Sequence, residues 1–189
     1  MKLPSNTSKI YPKKSLGQNF INDKNFILKL SKLIISYKST NIFEIGPGLG
    51  ALTDQLAKKK FRKLFLIEKD IELHEKLTNK FEKENHIHTI NSDALTYNYE
   101  DLAQNNSLIV GNLPFNISTQ LLINWIVNYD WPPFYNKMIL MFQKEVAERI
   151  ISKHNQKSYG RLSVVTQARC NVKKLLNAPS SNKSAAKVW

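Results

Sequence analysis

The stretch Asn41-Ile42-Phe43-Glu44-Ile45-Gly46-Pro47-Gly48-Leu49-Gly50-Ala51-Leu52 decides the fold, because a short β-rich run meets three glycines and then passes into leucines at helical spacing, Leu49, Leu52 and Leu56. Strand, glycine turn, helix is the expected order. Outward from it the alternation repeats: strand over 63–68, helix over 71–81, strand over 87–90, strand over 108–110, helix over 117–127, strand over 138–142, helix over 144–152 and strand over 162–172. Upstream, Phe26, Ile27, Leu30, Leu33 and Ile34 mark a first helix, with Asn22 or Asp23 placed to cap it. Strands alternating with helices predict an α/β, Rossmann-like fold. Its sheet is mostly parallel with helices on both faces, and its ligand sites lie at the carboxyl ends of the strands.

The chain has 189 residues, 42% of them hydrophobic and 23% charged, the composition of one ordinary folded domain rather than a disordered chain. No apolar run approaches the ~20 residues that span a bilayer, and Met1-Lys2-Leu3-Pro4-Ser5 is not the start of a secretory signal. Cys170 is the only cysteine, so an internal disulfide framework is excluded and the cytoplasm is the expected compartment. The net charge of +13 is unevenly spread: residues 1–38 carry +7 and residues 149–189 carry +9, while residues 39–148 sum to −3. A near-neutral body with basic ends, Lys13, Lys14 and Arg161 among them, suits a nucleic-acid partner, although a solvated lysine surface has the same composition.

The glycine turn lets a ligand approach bare backbone, and Gly46, Gly48 and Ala51 satisfy the permissive dinucleotide spacing, as a plain tight turn also would. Glu68 ends the next strand about 20 residues on, where a carboxylate accepts both hydroxyls of a ribose. Together they point to an adenosine-containing ligand. Asn112-Leu113-Pro114-Phe115 then separates the candidates. The lone pair of an exocyclic amine is delocalised into its base and must be localised before it attacks a sulfonium methyl. The Asn112 side-chain oxygen and a backbone carbonyl turned outward by Pro114 can accept its two N–H groups while Phe115 stacks on the base. His74, His86, His88 and His154 are scattered, and no metal site is expected. Packing is the expected role of Tyr97 and Tyr99.

These residues carry a family resemblance. Lys14-Ser15-Leu16-Gly17-Gln18-Asn19-Phe20, the stretch 44–52, Ile67-Glu68, Asp93-Ala94, the stretch 111–119, Gln143-Lys144-Glu145-Val146-Ala147-Glu148-Arg149 and Tyr159-Gly160-Arg161-Leu162-Ser163-Val164 resemble the small-subunit ribosomal RNA adenine N6,N6-dimethyltransferases over residues 13 to about 175. The resemblance implies an S-adenosylmethionine-dependent enzyme. It would dimethylate adjacent adenines of small-subunit ribosomal RNA within a ribosomal particle, acting as a cytoplasmic monomer without metal. It also implies that Asn19, Ile21, Gly46, Glu68, Asp93 and Asn112 line the cofactor site and that Asn112, Leu113, Pro114 and Phe115 form the catalytic segment.

Three segments follow: a basic arm over 1–22, a methyltransferase domain over 23–175 and an irregular tail over 176–189. Where the family has an aromatic and prolines, this chain has Asn182, Ser184, Ala185 and Ala186. The last strand, one face of the base sandwich and a small helical C-terminal domain are therefore expected to be missing, with turnover impaired. Phe115 in place of the family's commoner tyrosine keeps the stacking face. The rival readings are a non-catalytic RNA-binding or ribosome-assembly module and a large-subunit ribosomal RNA adenine methyltransferase, against which Asn116-Ile117-Ser118-Thr119 and the stretch 159–164 argue.

Overall fold

In the computed structural model the described residues are 23–59, 63–102, 106–130, 132–177 and the backbone of 186–188. Asp23 is the cap of α1 (Lys24–Ser36), its carboxylate accepting from the Phe26 N–H at 2.9 Å. The chain continues through β1 (Asn41–Ile45), α2 (Thr53–Leu56), β2 (Lys63–Glu68), α3 (Ile71–Phe81), β3 (Ile87–Asn91), β4 (Ser107–Asn112), α4 (Ser118–Val127), β5 (Lys137–Gln143), α5 (Lys144–Ile151), α6 (Arg161–Arg169), β6 (Leu176–Asn177) and β7 (Ala186–Val188). The sheet order is β3-β2-β1-β4-β5-β7-β6, with β1 to β5 parallel and β7 antiparallel to both its neighbours. The order reverses between β1 and β4, so their carboxyl ends open the crevice where ligands bind in such sheets.

The period of two in the strands divides the core. Ile42, Leu64, Leu66, Leu108, Val110, Ile139 and Met141 face α1, α2 and α3, while Phe43, Ile45, Phe65, Ile67, Ile109, Leu140 and Phe142 face α4 and α5. Both faces are therefore covered, and the central strands read as nearly unbroken apolar runs. Trp125 of α4 and Tyr99, both fully buried, anchor the second face, where Tyr99 stacks on Phe134 at 4.9 Å and donates to the Ala94 carbonyl at 2.9 Å.

Three expectations are corrected. The segment 162–172 is not a strand: α6 occupies Arg161–Arg169. Its β-branched Val164, Val165 and Thr166 mimic a strand, but its buried residues are Ser163 and Thr166, polar and three apart, so a count of apolar residues finds only Leu162 and Val165 at helical spacing. Ser163 Oγ donates to the Arg149 carbonyl and accepts from the Gly160 N–H at 3.1 Å, and Gln167 Nε2 donates to the carbonyls of Ile150 and Ser152.

The strand expected to be missing is also present. Ala186–Val188 pairs with β5 through Met141↔Val188, Phe142↔Lys187 and Gln143↔Ala186, and with β6, which makes part of the supposedly irregular tail a strand pair. Three residues are too few for alternation to show in sequence. Finally, the helix after the glycine turn is a single turn, α2, and Leu49 is 44% exposed instead of packed.

Candidate active site

The glycine turn is tied to β2 by its own backbone and by one carboxylate. The Gly46 N–H donates to the Ile67 carbonyl at 2.9 Å, and Gly48 N–H donates to Glu68 Oε2 at 3.1 Å. Gly46, Gly48 and Gly50 hold φ of +62°, +61° and +77°, the left-handed region that side chains disfavour. Glu68, only 6% exposed, accepts the Asp70 N–H on Oε1 at 2.9 Å, and the Lys69 N–H also bonds to its carboxylate, so backbone donors from both the turn and the end of β2 fix the side chain. Burial pushes its carboxyl upward, and the Asp70 and Gly48 N–H groups oppose that.

Glu44 sits between Leu66 and Val110 in the sheet and is fully buried. Thr53 Oγ1 donates to its Oε2 at 2.8 Å, joining β1 to α2 across the turn. Burial raises its carboxyl to about 7, with Asp54 and Glu68 adding to the rise. Lys80 of α3 braces the same turn from outside, pairing with Asp54 at 2.7 Å and donating to the Leu49 carbonyl at 3.5 Å. Sequence reasoning singled out neither Glu44 nor Lys80. A carboxylate inside an apolar strand was the available signal for the first.

Asn112 closes β4, beside the turn. A Cβ placed on Gly46 would lie 3.9 Å from Pro114 Cδ, so the turn and the Asn112–Phe115 segment share one crevice. Within that segment the side chains divide their tasks. Leu113 is fully buried in the second core cluster and pins the segment, whereas Asn112, Pro114 and Phe115 are half-buried at the rim. The Pro114 carbonyl accepts the Ile117 N–H at 3.2 Å and Phe115 O accepts Ser118 Oγ at 3.3 Å, which closes the turn into α4. The Leu113 side chain is thus an anchor rather than a ligand-facing group.

The anchor makes Gly111 critical. A Cβ there would meet Leu113 Cδ2 at 2.8 Å and the Ile45 carbonyl at 3.0 Å, one of them backbone that cannot move aside. Gly111→Ala is expected to destabilise the fold by about 1–3 kcal/mol, as overpacking does, read as a lowered urea midpoint. An unchanged midpoint would show that the segment is not wedged against β1.

Asp93 follows β3, with Oδ1 accepting the Leu95 N–H at 3.0 Å and Oδ2 held by Lys69 at 2.7 Å. Burial opposes its ionisation, but the Lys69 ammonium and the Leu95 N–H outweigh it and hold the carboxyl below the usual aspartate range. Asn19 and Ile21 lie outside the described residues, as does Asn182. Among the described residues no group of three or more His, Cys, Asp or Glu side chains could hold a metal ion, and no helix is long and apolar enough to cross a membrane.

A parallel sheet in this order, with a carboxylate-tied glycine turn at the switch point and a polar-aromatic segment beside it, defines the Rossmann-like methyltransferase fold. Solved structures share it. A dimethyladenosine transferase from Plasmodium falciparum aligns with a TM-score of 0.69 at 25% identity, covering 85% of this chain and 59% of its own. The Aeropyrum pernix fibrillarin carrying S-adenosyl-L-methionine aligns with a TM-score of 0.63 at 13% identity, over 88% of this chain and 74% of its own, a likeness of fold alone.

The particular family is narrower. The sequence model described as "Ribosomal RNA adenine dimethylase" matches residues 11–188, and the chain belongs to that family. The "Ribosomal RNA small subunit methyltransferase A" of Pelagibacter ubique (strain HTCC1062) is 44% identical over 165 residues, 87% of this chain and 62% of the relative. Its counterpart in Wolbachia pipientis subsp. Culex pipiens is 43% identical over 166 residues, 86% of this chain and 61% of that relative. The chain thus spans somewhat over half the length of the curated relatives it matches.

Proposed function

We propose that this chain transfers methyl groups from S-adenosylmethionine to the exocyclic amines of adjacent adenines in small-subunit ribosomal RNA. It meets that RNA in a ribosomal particle, as a cytoplasmic monomer. The observation that carries the reading is the approach of the Glu68-tied glycine turn to the Asn112–Phe115 segment, side by side at Gly46 and Pro114. The residue set suits the cofactor: a buried carboxylate fixed by backbone donors for a ribose, bare backbone at Gly46 and Gly48 for the methionine end, and Asp93 for the adenine amine.

When bound, S-adenosylmethionine supplies an electrophilic methyl on a sulfonium. The chain's own residues do the rest by positioning. Asn112 Oδ1 accepts one N–H of the target amine. The second acceptor is a main-chain carbonyl of the Leu113-Pro114 pair. Held this way, the nitrogen lone pair is localised and aimed at the methyl. The cofactor would supply the methyl and leave as the neutral thioether, and the surplus amine proton would pass to solvent. Phe115 stacks on the extruded base, offsetting part of the few kcal/mol that extrusion costs.

The test is incorporation of labelled methyl into small-subunit particles lacking the modification. Dimethyladenosine at two adjacent positions is the expected product, and absence of incorporation despite cofactor binding would favour a non-catalytic assembly module. Binding to the RNA is expected to weaken steeply with salt through counterion release. Charge reversal at Arg161, exposed at the start of α6, should flatten the log–log slope by roughly one unit for each phosphate that is no longer neutralised. A salt-independent affinity would reduce the basic ends to a solvated surface.

A further inference from the structure

Lys69 stands between the two carboxylates assigned to the nucleoside. It follows Glu68 directly, and its direction is set by β3: Asn91 Nδ2 donates to the carbonyls of Glu68 at 2.9 Å and Lys69 at 3.3 Å, and the Ser92 N–H donates to Glu68 O at 3.2 Å. From that stitched corner the Lys69 ammonium reaches Asp93 Oδ2 at 2.7 Å, while Leu95 N–H occupies Oδ1. Both Asp93 oxygens are therefore engaged within the chain. The lysine side chain is 60% exposed and the aspartate 27% exposed, so the pair lies at the mouth of the crevice and is open to water and salt.

We infer that Lys69 is a cationic latch on the nucleobase end of the cofactor site, competing with the purine exocyclic amine for Asp93 and so tuning affinity for the adenosine group. The inference rests on the cofactor reading above. A neutral amine that takes over Asp93 Oδ2 replaces an ion pair, charged on both partners, with a hydrogen bond charged on the carboxylate alone. The displaced ammonium recovers much of the difference because it is already largely hydrated, which makes the latch a modest tuner rather than a block. Two consequences follow in sign. Salt screens the Lys69–Asp93 pair, so cofactor affinity rises with salt, opposite to RNA affinity. A purine bearing a carbonyl in place of the amine has nothing to donate to Asp93 but can accept from Lys69, so the lysine favours it.

The experiment is calorimetry on the full chain with S-adenosylhomocysteine, which lacks the sulfonium charge, and with S-inosylhomocysteine, which lacks the amine. Wild type, Lys69→Met and Lys69→Arg are compared at low and high salt. Lys69→Met is expected to bind S-adenosylhomocysteine about two- to fivefold more tightly at low salt, the range of an exposed ion pair, and to lose the salt dependence. It should bind the inosine analogue more weakly, and Lys69→Arg should behave as wild type. Equal affinities and salt profiles in wild type and Lys69→Met overturn the latch while leaving the cofactor reading standing. Failure of the wild type to bind S-adenosylhomocysteine at all overturns both, so the two failures are told apart.

Discussion

Glu68→Ala is expected to weaken S-adenosylmethionine binding by roughly 2–4 kcal/mol, the range of two charge-assisted hydrogen bonds lost from a buried carboxylate. The size follows from how Glu68 is held. Its oxygens are aimed by the N–H groups of Gly48 and Asp70, so the side chain meets a ribose already ordered and without a large loss of rotamer freedom. The same bonds tie the glycine turn to β2, and removing the carboxylate therefore loosens the backbone proposed to face the methionine end. Asp93→Ala should cost less, because Asp93 is more exposed than Glu68 and its charge is already shared with Lys69. Calorimetry of the two variants beside wild type checks the order, with thermal unfolding as the control for folding. Equal affinity of Glu68→Ala and wild type would remove Glu68 from the site.

What was legible in advance was whatever repeats at a fixed period or stands at a turn. The strands β1, β2, β4 and β5 announce themselves because both faces are buried and their apolar runs end in glycine or a polar residue, as at Ile45-Gly46 and Val110-Gly111. The pairing of Glu68 with the turn was readable as spacing, and the structure supplies its cause, the Gly48 N–H on Oε2. Tertiary contacts hid the rest. The fully buried positions of α6 are the polar Ser163 and Thr166, with Ser163 bonded to a neighbouring element and only Leu162 and Val165 packing beside them, so propensity pointed to a strand. The three residues of β7 draw their strand character from β5, not from their own pattern. That the Leu113 side chain is an anchor shows only once it is found in the core. Lys69 reads as an ordinary surface lysine until Asp93 is brought beside it by the β2–β3 register, Glu68↔Asn91.

The same blindness applies to Glu44, whose burial makes the fold pH-dependent in an unusual direction. Its carboxyl lies at about 7 in the folded chain, against an ordinary value of 4.5, chiefly because burial disfavours the charge. The Thr53 hydroxyl and Lys80 oppose the rise, and Asp54 and Glu68 add to it. Between pH 4.5 and 7 the native state therefore holds a proton that the unfolded chain has released, so this group's contribution to stability falls as pH rises. Below the window Glu44 is neutral in both states and costs nothing. Above it the full penalty applies, about 3 kcal/mol at 1.36 kcal/mol per unit. Glu44→Gln removes the titration while its amide carbonyl can still accept from Thr53 Oγ1. The variant should thus match wild type, or fall slightly below it, near pH 5 and gain about 3 kcal/mol on it by pH 8. Urea unfolding of both proteins across that range isolates the effect, since every other titrating group is shared. Stability curves that stay parallel with pH would mean that Glu44 is ionised throughout, stabilised by Thr53 and Lys80 more strongly than its burial opposes it.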